Sequence, residues 1–150
     1  EEWLEHRVVL EELLGTIDDD RHMDFRPWDG AMSLGQLALH VAYWGKAFVS
    51  MVKTGEEMSA YFGSEPDLAD FKTMEDIRKA VHDFTEETKT LYASLTESEL
   101  EAEITSSHPR LGGQPRKFYL TIMYDHEVHH KGQLFVYARM VGVKEVPFFR

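Results

Sequence analysis

No cysteine occurs in the 150 residues. A disulfide frame, a thiolate metal site and a cysteine nucleophile are therefore excluded, and any metal must be held by nitrogen and oxygen. Basic residues are also scarce: 16 Lys and Arg stand against 27 Asp and Glu, giving a formal net charge of −11. A phosphate backbone needs a basic surface, so nucleic acid is not expected as a partner. No apolar run approaches the length of a membrane span, and the chain opens with the acidic string EEWLEH instead of a basic stretch before a hydrophobic one. These absences predict a soluble, cytoplasmic chain with no membrane partner. The start at Glu1 instead of Met leads us to expect that a few leading residues have been lost or trimmed. Strand pairs and internal repeats are missing too. At this length one domain, residues 1–150, can bury a substantial core.

What is present is helical periodicity in four segments. Trp3, His6, Leu10, Leu13 and Ile17 recur at spacings of three and four, with Leu14 widening the stripe, which predicts a helix over 2–17. Ser33 with Gln36 reads as a capping box that opens a second helix over 33–53, with apolar positions Leu34, Leu37, Val41, Trp44, Phe48 and Val52 and Gly55 closing it. Thr73 caps a third, whose stripe is Ile77, Val81, Phe84, Thr88, Leu91 and Leu95, with Glu75 and Asp76 favourable in its first turn. The fourth runs from Lys117 to Val141, where Gly142 is a terminator and Pro147 follows. Between the second and third helices, TGEEMSAYFGSEPDLADFK is long enough to run back along a ~30 Å helix at ~3.3 Å per residue. The link over 96–116, with Pro109, Gly112, Gly113 and Pro115, cannot continue a helix. The expected fold class is all-α, a four-helix bundle with a long crossover connection, and the links are expected to line a functional mouth.

The chemistry is concentrated in MYDHEVHHKGQL, residues 123–134, where His126, Glu127, His129 and His130 fall within five positions of the fourth helix. At about 100° per residue, His126 and His130 lie within roughly 40° of each other. Phe118, Ile122, Met123, Val136, Tyr137 and Met140 share that face, whereas Asp125, Glu127, Lys131 and Arg139 fall outside it, so the histidines are expected to point inward. Imidazoles buried side by side need partners for their ring nitrogens, and a divalent cation is an economical common one. His40, flanking the apolar stripe of the second helix beside Trp44, faces a neighbouring helix. Two histidines at a spacing of four plus one from another helix make a three-ligand, open site of the catalytic zinc type; the competing reading is a polar cluster without metal. His129 is expected to pack or hydrogen-bond behind the ligands. His6, His22, His82 and His108 read as ordinary hydrogen-bonded residues.

His126-Glu127-Val128-His129-His130 also satisfies H-E-x-x-H, in which Glu127 would act as general base. Against a zinc protease, Gly132 comes too early for the extended form of that motif, no histidine follows, and no strand precedes the helix to hold a peptide. A carboxylate-bridged di-iron site lacks its second Glu-x-x-His.

Three stretches, MSLGQLALHVAYWG with His40, DHEVHHKGQLFVYARMVG with His126, His130 and the Gly132-Gln133 pair, and the tail VKEVPFF, together resemble the DinB/YfiT-like superfamily of metal-binding bundles over essentially the whole chain. The resemblance implies an up-down-down-up bundle, frequently a homodimer, with one divalent ion per chain, zinc or nickel, on His40, His126 and His130. It also implies a small-molecule substrate: members transfer low-molecular-weight thiols such as bacillithiol or catalyse mycothiol-dependent isomerisation, and others have no established activity. The expected function is that of a metal-dependent thiol transferase or hydrolase, with Glu127 as a catalytic candidate. The alternatives are a non-catalytic metal-binding or stress-related bundle and, less favoured, the protease. For the dimer, Ala38, Ala42 and Gly45 on the second helix offer small residues to a second copy.

Overall fold

Helices form where the periodic stripes lie, and local chemistry fixes their ends. The structure is a computed structural model that describes residues 2–150. Helix α1 spans Glu2–Gly15 and is followed by two tighter turn bonds, from the Thr16 and Ile17 amides to the Leu13 and Leu14 carbonyls. Helix α2 spans Leu34–Thr54; Ser33 and Gln36 close the capping box from both directions, and Gly55 ends it at a φ of 76°. Helix α3 spans Met74–Ala93 behind a Thr73–Asp76 capping box. A short helix α4, Glu97–Glu101, follows, and α5 covers Phe118–Met140.

Side-chain pairs give the helix directions. Arg7 meets Thr85, Glu11 meets His82 and Arg78 reaches the Ile17 carbonyl, so α1 and α3 run antiparallel. Gly35 lies against Ile77, Lys46 pairs with Glu87 and Lys53 reaches the Ser94 carbonyl, so α2 and α3 run parallel. Tyr137 bonds the Met32 carbonyl and Arg116 approaches that of Val52, which makes α2 and α5 antiparallel. The order is up-down-down-up, and residues 55–73 make the crossover that the parallel α2–α3 pair requires. Two short 3-10 turns, Met58–Tyr61 and Leu68–Asp70, give that crossover its shape. Among the described residues no helix is long and apolar enough to cross a membrane.

Several expectations need correction. The link over 96–116 contains α4, which a Thr96–Glu99 capping box starts; that T-x-x-E signal was present in the sequence. The small residues Ala38, Ala42 and Gly45 are buried inside the chain and are not free to meet a second copy. Gly45 is small for an internal reason: a Cβ there would lie 2.8 Å from Arg7 Nη2. On α5, Val136 and Met140 are more than half exposed, whereas Glu127 and Lys131 are buried. The helix packs against both α2 and α1, so its buried arc is wider than the histidine face and extends to positions that carry charge.

Candidate metal centre

His40, His126 and His130 come together between α2 and α5, each half-buried, and one ring nitrogen of each lies within 4.8 Å of the others. The antiparallel α2–α5 seam sets this up. Leu37, Val41, Trp44 and Phe48 bury one side of α2, which leaves His40 at its edge, and Phe48 packs against the His126 ring at 5.7 Å between centroids. Ring centroids within the trio are 5.0, 4.8 and 4.4 Å apart.

The outer nitrogens of two rings are already engaged. His40 Nδ1 lies 2.9 Å from Glu65 Oε1, and His130 Nδ1 lies 2.7 Å from Gln133 Oε1. Both partners are oxygens that only accept, so each Nδ1 carries the proton and each Nε2 keeps its lone pair for the interior of the trio. Glu65 Oε1 also accepts from the Trp44 indole, which ties the crossover to the site. His40 Nε2 and His126 Nε2 are 3.1 Å apart. Tetrahedral zinc with Zn–N of about 2.0–2.1 Å places neighbouring ligand nitrogens roughly 3.3 Å apart, so the His40–His126 spacing and the donor set fit an imidazole-bound divalent ion. The His40 side chain is 17% exposed, so the trio sits at the edge of the core and not in its centre.

Electrostatics keep the two α5 rings in the form a metal needs. Burial first, then His130 and His40, push the His126 imidazole down to about 3. Burial also lowers His130, against an opposing hydrogen bond to Gln133. Both rings are neutral in the folded chain at pH values where a free imidazole, at about 6.5, is charged. The unfolded chain therefore binds more protons below about 6.5, and stability falls as the pH drops from there toward the folded value. We expect urea unfolding of chelator-treated protein to show stability falling between pH 7 and 5, with a shallower fall in His126→Leu. Identical slopes in the two proteins would contradict this assignment.

The remaining expected residues sort clearly. His129 is exposed and packs edge-on against His130, at 4.7 Å between centroids. His82 pairs with Glu11, His6 with Tyr124 and Lys131, and His108 accepts from the Arg110 amide. Glu127, expected as a catalytic candidate, is engaged elsewhere. It is buried, with Oε1 2.8 Å from Arg7 Nε and Oε2 2.7 Å from Arg7 Nη2, and it also accepts from Trp3 Nε1 at 3.3 Å. Arg7 bonds Thr85 and the Val41 carbonyl as well, so one guanidinium joins α1, α2, α3 and α5. The glutamate of the H-E-x-x-H pattern is thus held on the α1 side of α5. No role is expected for Arg7 or Glu65, and Gln133 is marked only within the Gly132-Gln133 pair that carries the resemblance. Arg7 does leave a signal, as a charge inside the apolar stripe between Trp3 and Leu10.

Comparison with known proteins places the chain. The model of the DinB family matches residues 1–149. YjoA of Bacillus subtilis (strain 168), an uncharacterized protein, is 30% identical over 148 residues, covering 99% of this chain and 92% of YjoA. The crystal structure of that DinB-like protein superimposes with a TM-score of 0.81 at 29% identity, covering 99% of this chain and 94% of its own. A DinB-like protein from Bacillus cereus ATCC 10987 shares the fold, with a TM-score of 0.72 at 18% identity over 97% of this chain and 91% of the other.

Proposed function

We propose that this chain, which belongs to the DinB family, holds one divalent ion on His40, His126 and His130 and acts there on a small molecule as a thiol transferase or hydrolase. The observation that carries this reading is the convergence of three imidazole nitrogens whose rings are oriented from outside by Glu65 and Gln133. Zinc or nickel suits an all-imidazole donor set. A divalent ion held by His40, His126 and His130 would supply Lewis acidity, which lowers the pKa of a thiol or water and would give a nucleophile near neutral pH without a protein thiol. The chain's own residues do the rest. Glu65 and Gln133 fix ring orientation and basicity, and Trp44 and Phe48 give one side of the centre an apolar wall. Three protein ligands leave a coordination position for water or substrate, which suits turnover better than a closed structural ion. Glu127 we assign to clamping α5 through Arg7, because both its oxygens are engaged there. That assignment removes the base a protease of this motif needs. A homodimer, implied by the family, needs a face other than α2; the outward Val136 and Met140 of α5 supply apolar surface for it.

The test is a panel of low-molecular-weight thiols with electrophiles, together with small esters and unfolded casein, assayed with metal-loaded and chelator-treated protein. We expect chelator-sensitive turnover of a small substrate and none of casein. Casein cleavage would restore the protease reading. Bound metal that raises the melting temperature without any turnover would instead make the ion structural.

A further inference from the structure

The α1 side of α5 carries a charge that the metal centre does not use. Lys131 is 3% exposed, and its ammonium donates to His6 Nδ1 at 2.7 Å and to the Phe149 carbonyl. Both acceptors are uncharged: a ring that accepts at Nδ1 is a neutral imidazole, whose Nε2–H donates to the Tyr124 hydroxyl at 3.1 Å. Glu127, one turn earlier, has both oxygens on Arg7, so that pair is neutral and Lys131 leaves an excess positive charge in the seam. Among the described residues no carboxylate lies within ion-pair distance of the Lys131 ammonium. An ammonium has three donors and two are engaged. A buried cation without an anion is costly, and an anion that fills the third position offsets that cost.

Lys131 lines a cavity of about 770 Å³ between α5 and the terminal residues 146–150. Val128, Phe135 and Phe148 give it apolar walls, and Arg139 and Arg150 stand at its edge. Arg139 lies over the Phe135 ring, 5.7 Å from its centroid, and the nearest acid to Arg150 is Glu5 at 3.9 Å. In a chain of net charge −11, three cations around one apolar cavity are a local reversal of sign. The segment that covers it forms no helix, and its largest side chains, Phe148 and Phe149, are 71% and 62% exposed. The Phe149 carbonyl ties this segment to the Lys131 ammonium and leaves the third donor for an anion.

We propose that this cavity binds a small organic carboxylate with an aromatic body, its head on Lys131 and its body against Val128 and Phe135. The site lies on a different side of α5 from the histidine trio and stands independently of the metal reading. Calorimetric titration with 3-phenylpropionate, with its neutral counterpart 3-phenylpropanol and with inorganic phosphate tests it, alongside amide shift mapping. The acid should bind wild-type protein at least about tenfold more tightly than the alcohol or phosphate, as expected for a hydrogen bond to a charged group. The shifts should centre on Phe135, Val146 and Phe149. Lys131→Met should weaken the acid roughly 10- to 100-fold and leave the alcohol unchanged. Arg139→Gln, at an exposed position, should weaken the acid by a smaller factor and keeps the test available if Lys131→Met does not fold. Equal binding of acid and alcohol, phosphate binding as tight as the acid, shifts centred on His40 and His126, or an unaltered affinity in a folded Lys131→Met protein would each overturn the proposal.

Discussion

Glu127→Gln is expected to lower the stability of the fold by about 3–5 kcal/mol, because it leaves the Arg7 guanidinium as an uncompensated buried charge. Arg7 and Glu127 side chains are 0% and 1% exposed, so water cannot take over the lost pairing. At roughly 2–4 °C per kcal/mol for a chain of this size, the melting temperature should fall by on the order of 10 °C. The effect should be far smaller in the double variant Arg7→Met/Glu127→Met, since removing both charges removes the desolvation penalty along with the pair. Urea unfolding of the three proteins checks this. A Glu127→Gln protein within about 1 kcal/mol of wild type, the usual range for exposed ion pairs, would mean that the clamp is not what holds α5 against α1.

His126→Ala is expected to abolish stoichiometric metal binding, because it removes the most deeply buried ring of the trio and leaves two imidazoles that cannot enclose an ion. His40→Ala should weaken binding strongly as well, even though His40 lies outside the H-E-x-x-H pattern. His82→Ala, whose ring faces Glu11 on the surface, should leave binding unchanged. Glu65→Gln should fall between these limits, at roughly 10- to 100-fold, the usual effect of removing a carboxylate that orients a metal-bound histidine. Metal titration of the four variants separates the outcomes, and full affinity in His40→Ala would break the site assignment.

The helices were legible because their signals are local. The Ser33–Gln36 and Thr73 caps and the Gly55 and Gly142 stops each act within one turn, and each lies where the pattern put it. The trio was legible because a spacing of four on α5 and a single histidine at the edge of the α2 stripe are both one-dimensional facts. The sides of α5 were not. A helix that packs against two neighbours buries more than one stripe, and a charged residue enters that surface only when a partner 120 residues away in sequence is waiting, as Arg7 is for Glu127. Periodicity carries no information about such pairs. Glu65 was hidden for a similar reason: a carboxylate in an irregular crossover has no period, and only the folded path of residues 55–73 brings it to His40.

Metal binding by His40, His126 and His130 together is open to direct measurement. X-ray absorption spectroscopy on protein reconstituted with zinc and, separately, nickel, combined with elemental analysis, tests it most directly. We expect one ion per chain and zinc bound by three imidazole nitrogens at about 2.0–2.1 Å, with one further light-atom ligand. No uptake of either ion, or a shell with fewer than three imidazoles, would contradict it.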